Sequence, residues 1–146
     1  VELGEGLASL HTVYGSTRSP LSLPPGYQAM TPFGVNYGGN NPAFWAVYSE
    51  SQYDSWLTVG ITTGDSVGRL IDYGVDFDMW TADTPLYVTS GNVSWLAPAD
   101  APGGLVVVAQ VTVLSGTQFT ATMGVAGRTD NDTDWSVDNV NFHVHS

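Results

Sequence analysis

The chain contains no cysteine and no lysine, so its only permanently charged basic side chains are three arginines. Without cysteine it can form neither a disulfide nor a thiolate metal site. Covalent catalysis through a thiol or a lysine Schiff base is excluded for the same reason. Fourteen acidic residues face the three arginines and give a formal net charge of −11. This charge opposes binding to nucleic acid and to anionic lipid, because both are polyanions.

Charge of either sign is scarce, at 12% of residues, which is about half the usual share. No apolar run approaches the ~20 residues of a membrane-spanning helix, and the longest is Leu105–Ala109. Membrane insertion is therefore not expected. The sequence begins at Val1 rather than at methionine, which suggests a processed mature chain or a fragment.

Apolar residues make up 42% of the chain and alternate with polar ones over most of its length. Strand signals recur at roughly ten-residue spacing, and no segment keeps a helical apolar period. The pattern predicts one all-β domain over residues 1–146. We expect an antiparallel two-sheet β-sandwich, jelly-roll or immunoglobulin-like, of about eight to ten strands. Residues 24–41 are rich in Gly, Pro and Asn and are expected to form a long ordered loop.

The strongest strand prediction is a hairpin in the last third of the chain. Leu105–Leu114 is β-branched and apolar on both faces at its start, and Thr117–Val125 follows after a tight turn. Ile71–Met79 is expected to bury one face, as is the last strand at Asn139–His145. Further strands are expected at Trp56–Thr62, Asn92–Leu96 and Ala43–Ser49, and weaker ones at Leu7–Tyr14 and Leu21–Leu23.

Carboxylates at alternate positions of a polar loop are the strongest candidate for a cation site. Asp130, Asp132 and Asp134 can converge on calcium, which takes six to eight oxygen ligands, and Asp138 can add another. The loop is not an EF-hand, because Trp135 stands where the sharp turn needs glycine. Calcium is thus the one cofactor suggested, and the alternative is a solvated acidic hairpin loop.

Two sequons for N-glycosylation occur, at Asn92-Val93-Ser94 and at Asn131-Asp132-Thr133. In a secreted eukaryotic protein Asn131 is the better acceptor, because it is expected in a loop. A glycan on Asn131 would compete in part with calcium at the same loop.

Two imidazoles fall on one face of the last predicted strand, at His143 and His145. They could hold zinc or copper if a third ligand such as His11 came close. The alternative is an exposed terminal strand without a ligand.

Five tryptophans and seven tyrosines are many for a chain of this size. In the predicted registers Trp56 and Trp80 lie opposite the inward-facing residues, and exposed indoles can stack on sugar rings or on a partner protein. Packing in the core explains the two rings equally well.

The runs YDSWLTVGITTGD, GVDFDMWT, VSWLAPADAPGG, VVVAQVTV and FTATMGVAGRT resemble an uncharacterised β-rich module of secreted proteins from marine algae. The similarity extends from about Trp45 to Phe142. The resemblance implies an extracellular β-module, often one of several in a larger protein. It implies no catalytic residue.

The composition and the motifs favour a non-enzymatic exported protein. We expect a structural or interaction module, a subunit of an extracellular assembly such as a filament, coat or surface layer, or an accessory subunit of a larger complex. Its partners are then other protein chains, including copies of itself. One alternative is a carbohydrate-binding module that uses exposed tryptophan. Another is an extrinsic subunit of a membrane complex such as a photosystem, in the thylakoid lumen.

Overall fold

A computed structural model describes residues 1–145, which form nine strands, one short α-helix and three 3₁₀ turns. All pairs of these strands are antiparallel, and helix is sparse, so the all-β prediction is confirmed. The jelly-roll or immunoglobulin-like topology stays a prediction. The strands are β1 Leu7–Gly15, β2 Leu21–Leu23, β3 Trp56–Leu57, β4 Leu70–Tyr73, β5 Leu86–Val88, β6 Gly91–Trp95, β7 Ala109–Gln110, β8 Phe119–Thr129 and β9 Asp134–Val144. The helix α1 is Ala43–Val47, and the 3₁₀ turns are Ser49–Tyr53, Phe77–Met79 and Pro98–Asp100.

Seven strands form one sheet that is organised around β8. The order is β4-β6-β1-β8-β2-β5, with β9 also paired to β8. Strand β8 pairs with β1 along Gly124–Thr129 and with β2 at Thr122, while β9 pairs along most of its length. Strands β3 and β7 form a separate two-stranded sheet. Within residues 1–145, no helix is long and apolar enough to cross a membrane.

Buried residues of both sheets belong to one hydrophobic cluster. The large sheet contributes alternate positions such as Val13 of β1, Val93 of β6 and Met123 of β8. Leu57 of β3 and the nearby Val108 pack into the same cluster. Period-two alternation therefore predicts the inward residues of β6 and β8 correctly, at Val93 and at Ala121, Met123 and Val125.

A tyrosine and a bulge fix β9 against β8. The register shifts between Met123 and Val125 of β8, and Asn139 of β9 adopts a left-handed conformation there with φ 56°. The Asn139 backbone N–H donates to Ser19 Oγ at 2.8 Å. The Tyr14 ring lies on Gly124, where a Cβ would overlap it, and its hydroxyl donates to Asp138 Oδ1 at 2.5 Å. Bulges of this kind end regular pairing at a sheet edge and re-aim side chains.

The predicted hairpin between Leu105–Leu114 and Thr117–Val125 is wrong. Within the first segment only β7 is a strand, and β8 instead forms its hairpin with β9. The segment lies along residues 55–60, where Val108 O accepts from Thr58 N at 2.9 Å and Val107 O from Gly60 N at 2.8 Å. When a strand is apolar on both faces, the pattern does not specify which face is buried or which strand it pairs with.

Two other predicted strands also differ from the structure. Ala43–Ser49 contains α1, since Pro42 at its N-terminus favours a helical turn. Ile71–Met79 ends as a strand at Tyr73, because Gly74 turns the chain with φ 68° and Phe77–Met79 is a 3₁₀ turn. Strands lie at the other predicted positions, although Trp56–Thr62 shrinks to β3.

Candidate functional site

Helix α1 carries three large apolar side chains and buries none of its residues. The exposed fraction is 36% for Phe44, 38% for Trp45 and 75% for Val47. The helix begins after Asn41, whose side-chain Oδ1 accepts from the Ala43 backbone N–H at 2.9 Å. A five-residue helix is too short to be stable on its own propensity, so its place depends on the loops around it.

Aromatic rings connect α1 to the loop of residues 24–41. Phe33 stacks on Tyr48 with ring centroids 5.3 Å apart and meets the edge of Phe44 at 5.9 Å. The Tyr27 and Tyr48 hydroxyls lie 3.4 Å apart. Tyr27 also borders a cleft of about 450 Å³ that Tyr53 and Leu114 line. We call this continuous region the aromatic surface: Tyr27, Phe33, Phe44, Trp45, Val47, Tyr48, Tyr53 and Leu114.

The buried carboxylate of Asp54 fixes the loop beneath this surface. Asp54 is fully buried, and its two oxygens accept from the backbone N–H groups of Ala29 at 2.9 Å and Val35 at 2.7 Å. Burial raises the pKa of Asp54 above its ordinary value, although these backbone bonds favour the ionised form. One side chain thereby joins the two ends of the segment 29–35.

A buried amide holds the exposed indole of Trp45 in place. Asn40 is 2% exposed, and its Oδ1 accepts from Trp45 Nε1 at 3.3 Å. Its Nδ2 donates to Ser51 O at 2.5 Å and to Phe33 O at 3.3 Å. The indole is therefore fixed to the 3₁₀ turn after α1 and to the loop before it.

Tyr48 and Glu50 place a polar group within the aromatic surface. The Tyr48 hydroxyl donates to Glu50 Oε2 at 3.0 Å. Hydrogen bonds to Tyr27 and Glu50 raise the pKa of Tyr48 above its ordinary value. The hydroxyl thus stays protonated at neutral pH and serves as a donor.

The prediction that Trp56 and Trp80 are exposed is wrong. Their exposed fractions are 4% and 3%. Strand β3 is only two residues long and buries both of them, so alternation does not expose Trp56. Trp80 follows the 3₁₀ turn Phe77–Met79, which breaks the strand register, and its Nε1 donates to Pro24 O at 2.9 Å. Neither ring can be a surface platform for sugar or protein in this conformation.

The acidic residues predicted to hold calcium have other partners in the structure. Asp132 and Asp134 both pair with Arg128, at 3.6 and 3.1 Å, in the turn between β8 and β9. Asp138 lies at the bulge of β9 and accepts from Tyr14, whose pKa burial and this bond raise to about 12. Asp130 is exposed in the same turn. Among residues 1–145 no three acidic or histidine side chains are grouped as metal ligands would be, and calcium binding here stays a prediction.

His11 and His143 have separate neighbours. His143 Nδ1 lies 3.0 Å from Thr120 Oγ1 on β8, and His11 Nδ1 lies 2.7 Å from Thr12 Oγ1 on β1. Burial and the nearby Arg128 lower the pKa of His11, which opposes a charged imidazole. The described residues hold no histidine group suited to zinc.

The two sequons differ in accessibility. Asn131 is exposed in the turn between β8 and β9. Asn92 is half-buried in β6, where it pairs with both Tyr14 and Tyr73, and its Oδ1 accepts from Ser94 Oγ at 2.8 Å. The structure thus presents Asn131 as the accessible acceptor.

The exposed tryptophan of the aromatic surface is Trp45, which the sequence reasoning placed on a strand. The sequence signal for Trp45 is the run Ala43–Val47 directly after Asn41-Pro42, which combines a helix start with large apolar residues at the end of a polar loop.

Comparison of the chain with protein-family models, curated proteins and solved structures finds no match.

Proposed function

We propose that this chain is a non-enzymatic exported interaction module that joins a structural assembly through the aromatic surface. The observation that carries the proposal is α1, where Phe44, Trp45 and Val47 stand exposed on a helix that buries nothing. Contiguous apolar area of this kind marks a protein interaction site more often than a stable free surface.

Rigid support makes this surface suitable for association. Asp54 fixes the loop below it, and Asn40 fixes the indole of Trp45. Association orders few additional side chains when the surface is held in advance, so less conformational entropy is lost. Aromatic residues are also enriched in the centres of protein interfaces.

The two sheets and the charge support the wider proposal. The joint core of the large sheet and of β3 with its neighbouring segments is consistent with a two-layer sandwich in which the small sheet covers part of the large one. A formal charge of −11 favours solubility outside the cytosol, where cations screen it. We place the module on the cell exterior, with the thylakoid lumen as the alternative compartment.

Sedimentation velocity over about three decades of protein concentration tests the proposal, since self-association is concentration-dependent. We expect the sedimentation coefficient to rise with concentration, and Val47→Asp and Leu114→Asp to abolish the rise. The matched control is Tyr87→Asp, which charges an exposed position on β5 outside the aromatic surface. A monomer at every concentration would contradict assembly by copies of the chain, and association that persists in both variants would place the interface elsewhere.

A further inference from the structure

A second cleft lies between α1 and the small sheet. Its volume is about 450 Å³, which is within the range of small-molecule sites. Trp45 of α1 forms one wall, while Trp56 of β3 and Gln110 of β7 line the sheet side. The remaining polar lining is made of amide and hydroxyl side chains: Asn40, Gln52, Thr62 and Thr63.

The two glutamines of the cleft have their side-chain N–H groups engaged and keep their oxygens free, whereas the Asn40 oxygen accepts from Trp45. Gln110 Nε2 donates to Gln52 O at 3.0 Å and to Asp54 O at 2.7 Å, and Gln52 Nε2 donates to Ser49 O at 2.9 Å. Within residues 1–145 the side-chain oxygens of both glutamines make no hydrogen bond, and neither do the hydroxyls of Thr62 and Thr63. The cleft therefore offers several fixed acceptors and two hydroxyls.

The floor of the cleft contains a buried donor. Trp56 is 4% exposed, and its indole N–H has no hydrogen-bond partner among the described residues. By contrast, the indole N–H groups of Trp80, Trp95 and Trp135 all donate to backbone carbonyls. Buried polar groups are normally paired, so Trp56 is the unusual indole of the chain and belongs to the cleft lining.

Charge is absent from the residues that line this cleft. An ionic ligand would lose its hydration there without gaining an opposite charge. A neutral ligand rich in hydroxyl groups instead matches the acceptors and threonine hydroxyls, while its C–H face can pack on an indole. Trp45 is 38% exposed, and its indole N–H donates to Asn40, so the ring is accessible to a sugar and held in one orientation.

We infer that the cleft between α1 and the β3–β7 sheet binds one unit of a neutral saccharide, with Trp45 as the stacking platform. The cation-free, uncharged lining excludes acidic and sulfated sugars as the preferred ligands. This site shares Trp45 with the aromatic surface, but it needs neither Val47 nor Leu114, so it goes beyond association between chains.

The five indole N–H groups allow a direct test by NMR. Each resonance can be assigned from the Trp→Phe variant of its residue. Neutral hexasaccharides of β-1,4-glucose, β-1,3-glucose, β-1,4-mannose and β-1,4-xylose are titrated separately, with an alginate hexasaccharide as the anionic comparison. We expect at least one neutral sugar to shift the resonances of Trp45 and Trp56 and to leave those of Trp80, Trp95 and Trp135 in place.

Affinity measurements on variants give the second part of the test. We expect Trp45→Ala to weaken binding about tenfold or more, because it removes the stacking ring. Thr63→Val, which keeps the side-chain shape, is expected to weaken binding by a smaller factor. Tyr87→Ala, which removes an exposed ring on β5, is the control and should leave the affinity unchanged.

Three results would overturn the inference: no neutral sugar binding at about 10 mM, equal shifts at all five indoles, or tighter binding of the alginate oligomer. These results leave the assembly proposal untouched, because that proposal is read from sedimentation of Val47→Asp and Leu114→Asp. Conversely, if the protein is monomeric at every concentration and binds a neutral sugar at Trp45, this inference stands and the proposal of self-assembly is contradicted.

Discussion

Replacement of Asp54 should destabilise the protein more than replacement of any exposed acid. The carboxylate accepts from the backbone N–H groups of Ala29 and Val35 through different oxygens. A hydrogen bond to a charged group contributes about 1.5–3 kcal/mol. Asp54→Asn keeps one acceptor oxygen and turns an NH₂ donor towards the other N–H. We therefore expect the free energy of unfolding to fall by about 2 kcal/mol. Asp54→Ala removes both acceptors, and we expect a loss of about 4 kcal/mol.

Urea denaturation at neutral pH measures these losses from the midpoint and slope. Asp100→Asn is the matched control, because it removes the same charge from an exposed 3₁₀ turn. We expect the control to change stability by less than about 0.5 kcal/mol. A loss in Asp54→Ala no larger than in the control would refute the view that this carboxylate anchors the loop.

The pH dependence of stability in the wild type and in Asp54→Asn tests whether burial or the backbone hydrogen bonds dominate the pKa of Asp54. Burial raises its pKa above the ordinary value of 3.8, so the folded state binds the proton more tightly than the unfolded state. Stability from this group is therefore fully present below pH 3.8 and is lost as pH rises through the folded pKa. The difference in unfolding free energy between wild type and Asp54→Asn should shrink over that window, because the amide does not titrate. A difference that grows with pH would mean that the backbone N–H bonds outweigh burial.

Three further predictions concern the fold and the surface. Gly124→Ala should destabilise the protein by about 2 kcal/mol or more, because its Cβ would overlap the Tyr14 ring. In urea denaturation, the double variant with Tyr14→Ala should lose less stability than the two single variants lose together, and full additivity would contradict the contact. Trp80→Phe should cost about 1–2 kcal/mol, because it leaves Pro24 O without its donor, and an unchanged thermal midpoint would argue against this bond. Expression in a eukaryotic secretory host should give one glycan that Asn131→Gln removes, as measured by intact mass, and modification of Asn92 would contradict the position of that residue in β6.

The long strands were the predictable part of the fold. In β6 and β8 the apolar residues alternate, and each strand buries the face that the pattern marks. In β1 the buried Leu10 and Val13 are three residues apart, because the pairing of β1 with β8 shifts register between them. The edge strand β9 is less regular, because the bulge at Asp138 and Asn139 shifts the register and leaves Val137 half exposed. Alternation predicts which residues share a face only while the pairing is unbroken.

The candidate site was not predictable in the same way. Its position depends on the segment between β2 and β3, in which Asp54 accepts from backbone N–H groups 19 and 25 residues earlier and Asn40 holds α1 through Trp45. Trp45 and Trp56 are each followed by an apolar residue, and yet one is exposed and the other is buried. What separates them is tertiary structure, since Trp45 lies on an exposed helix while both residues of β3 are buried.

Two of the aspartates have a structural role that composition alone does not reveal. Aspartate outnumbers glutamate by eleven to three, and short carboxylates reach backbone N–H groups in turns more readily than long ones. Asp54 does so for the loop under the aromatic surface, and Asp65 accepts from Arg69 N and Leu70 N, both at 2.8 Å, ahead of β4. A binding surface built from loops needs such anchors, because loops without them stay mobile. Asp54 thus supports the surface that we propose for association, although its own side chain is buried beneath it.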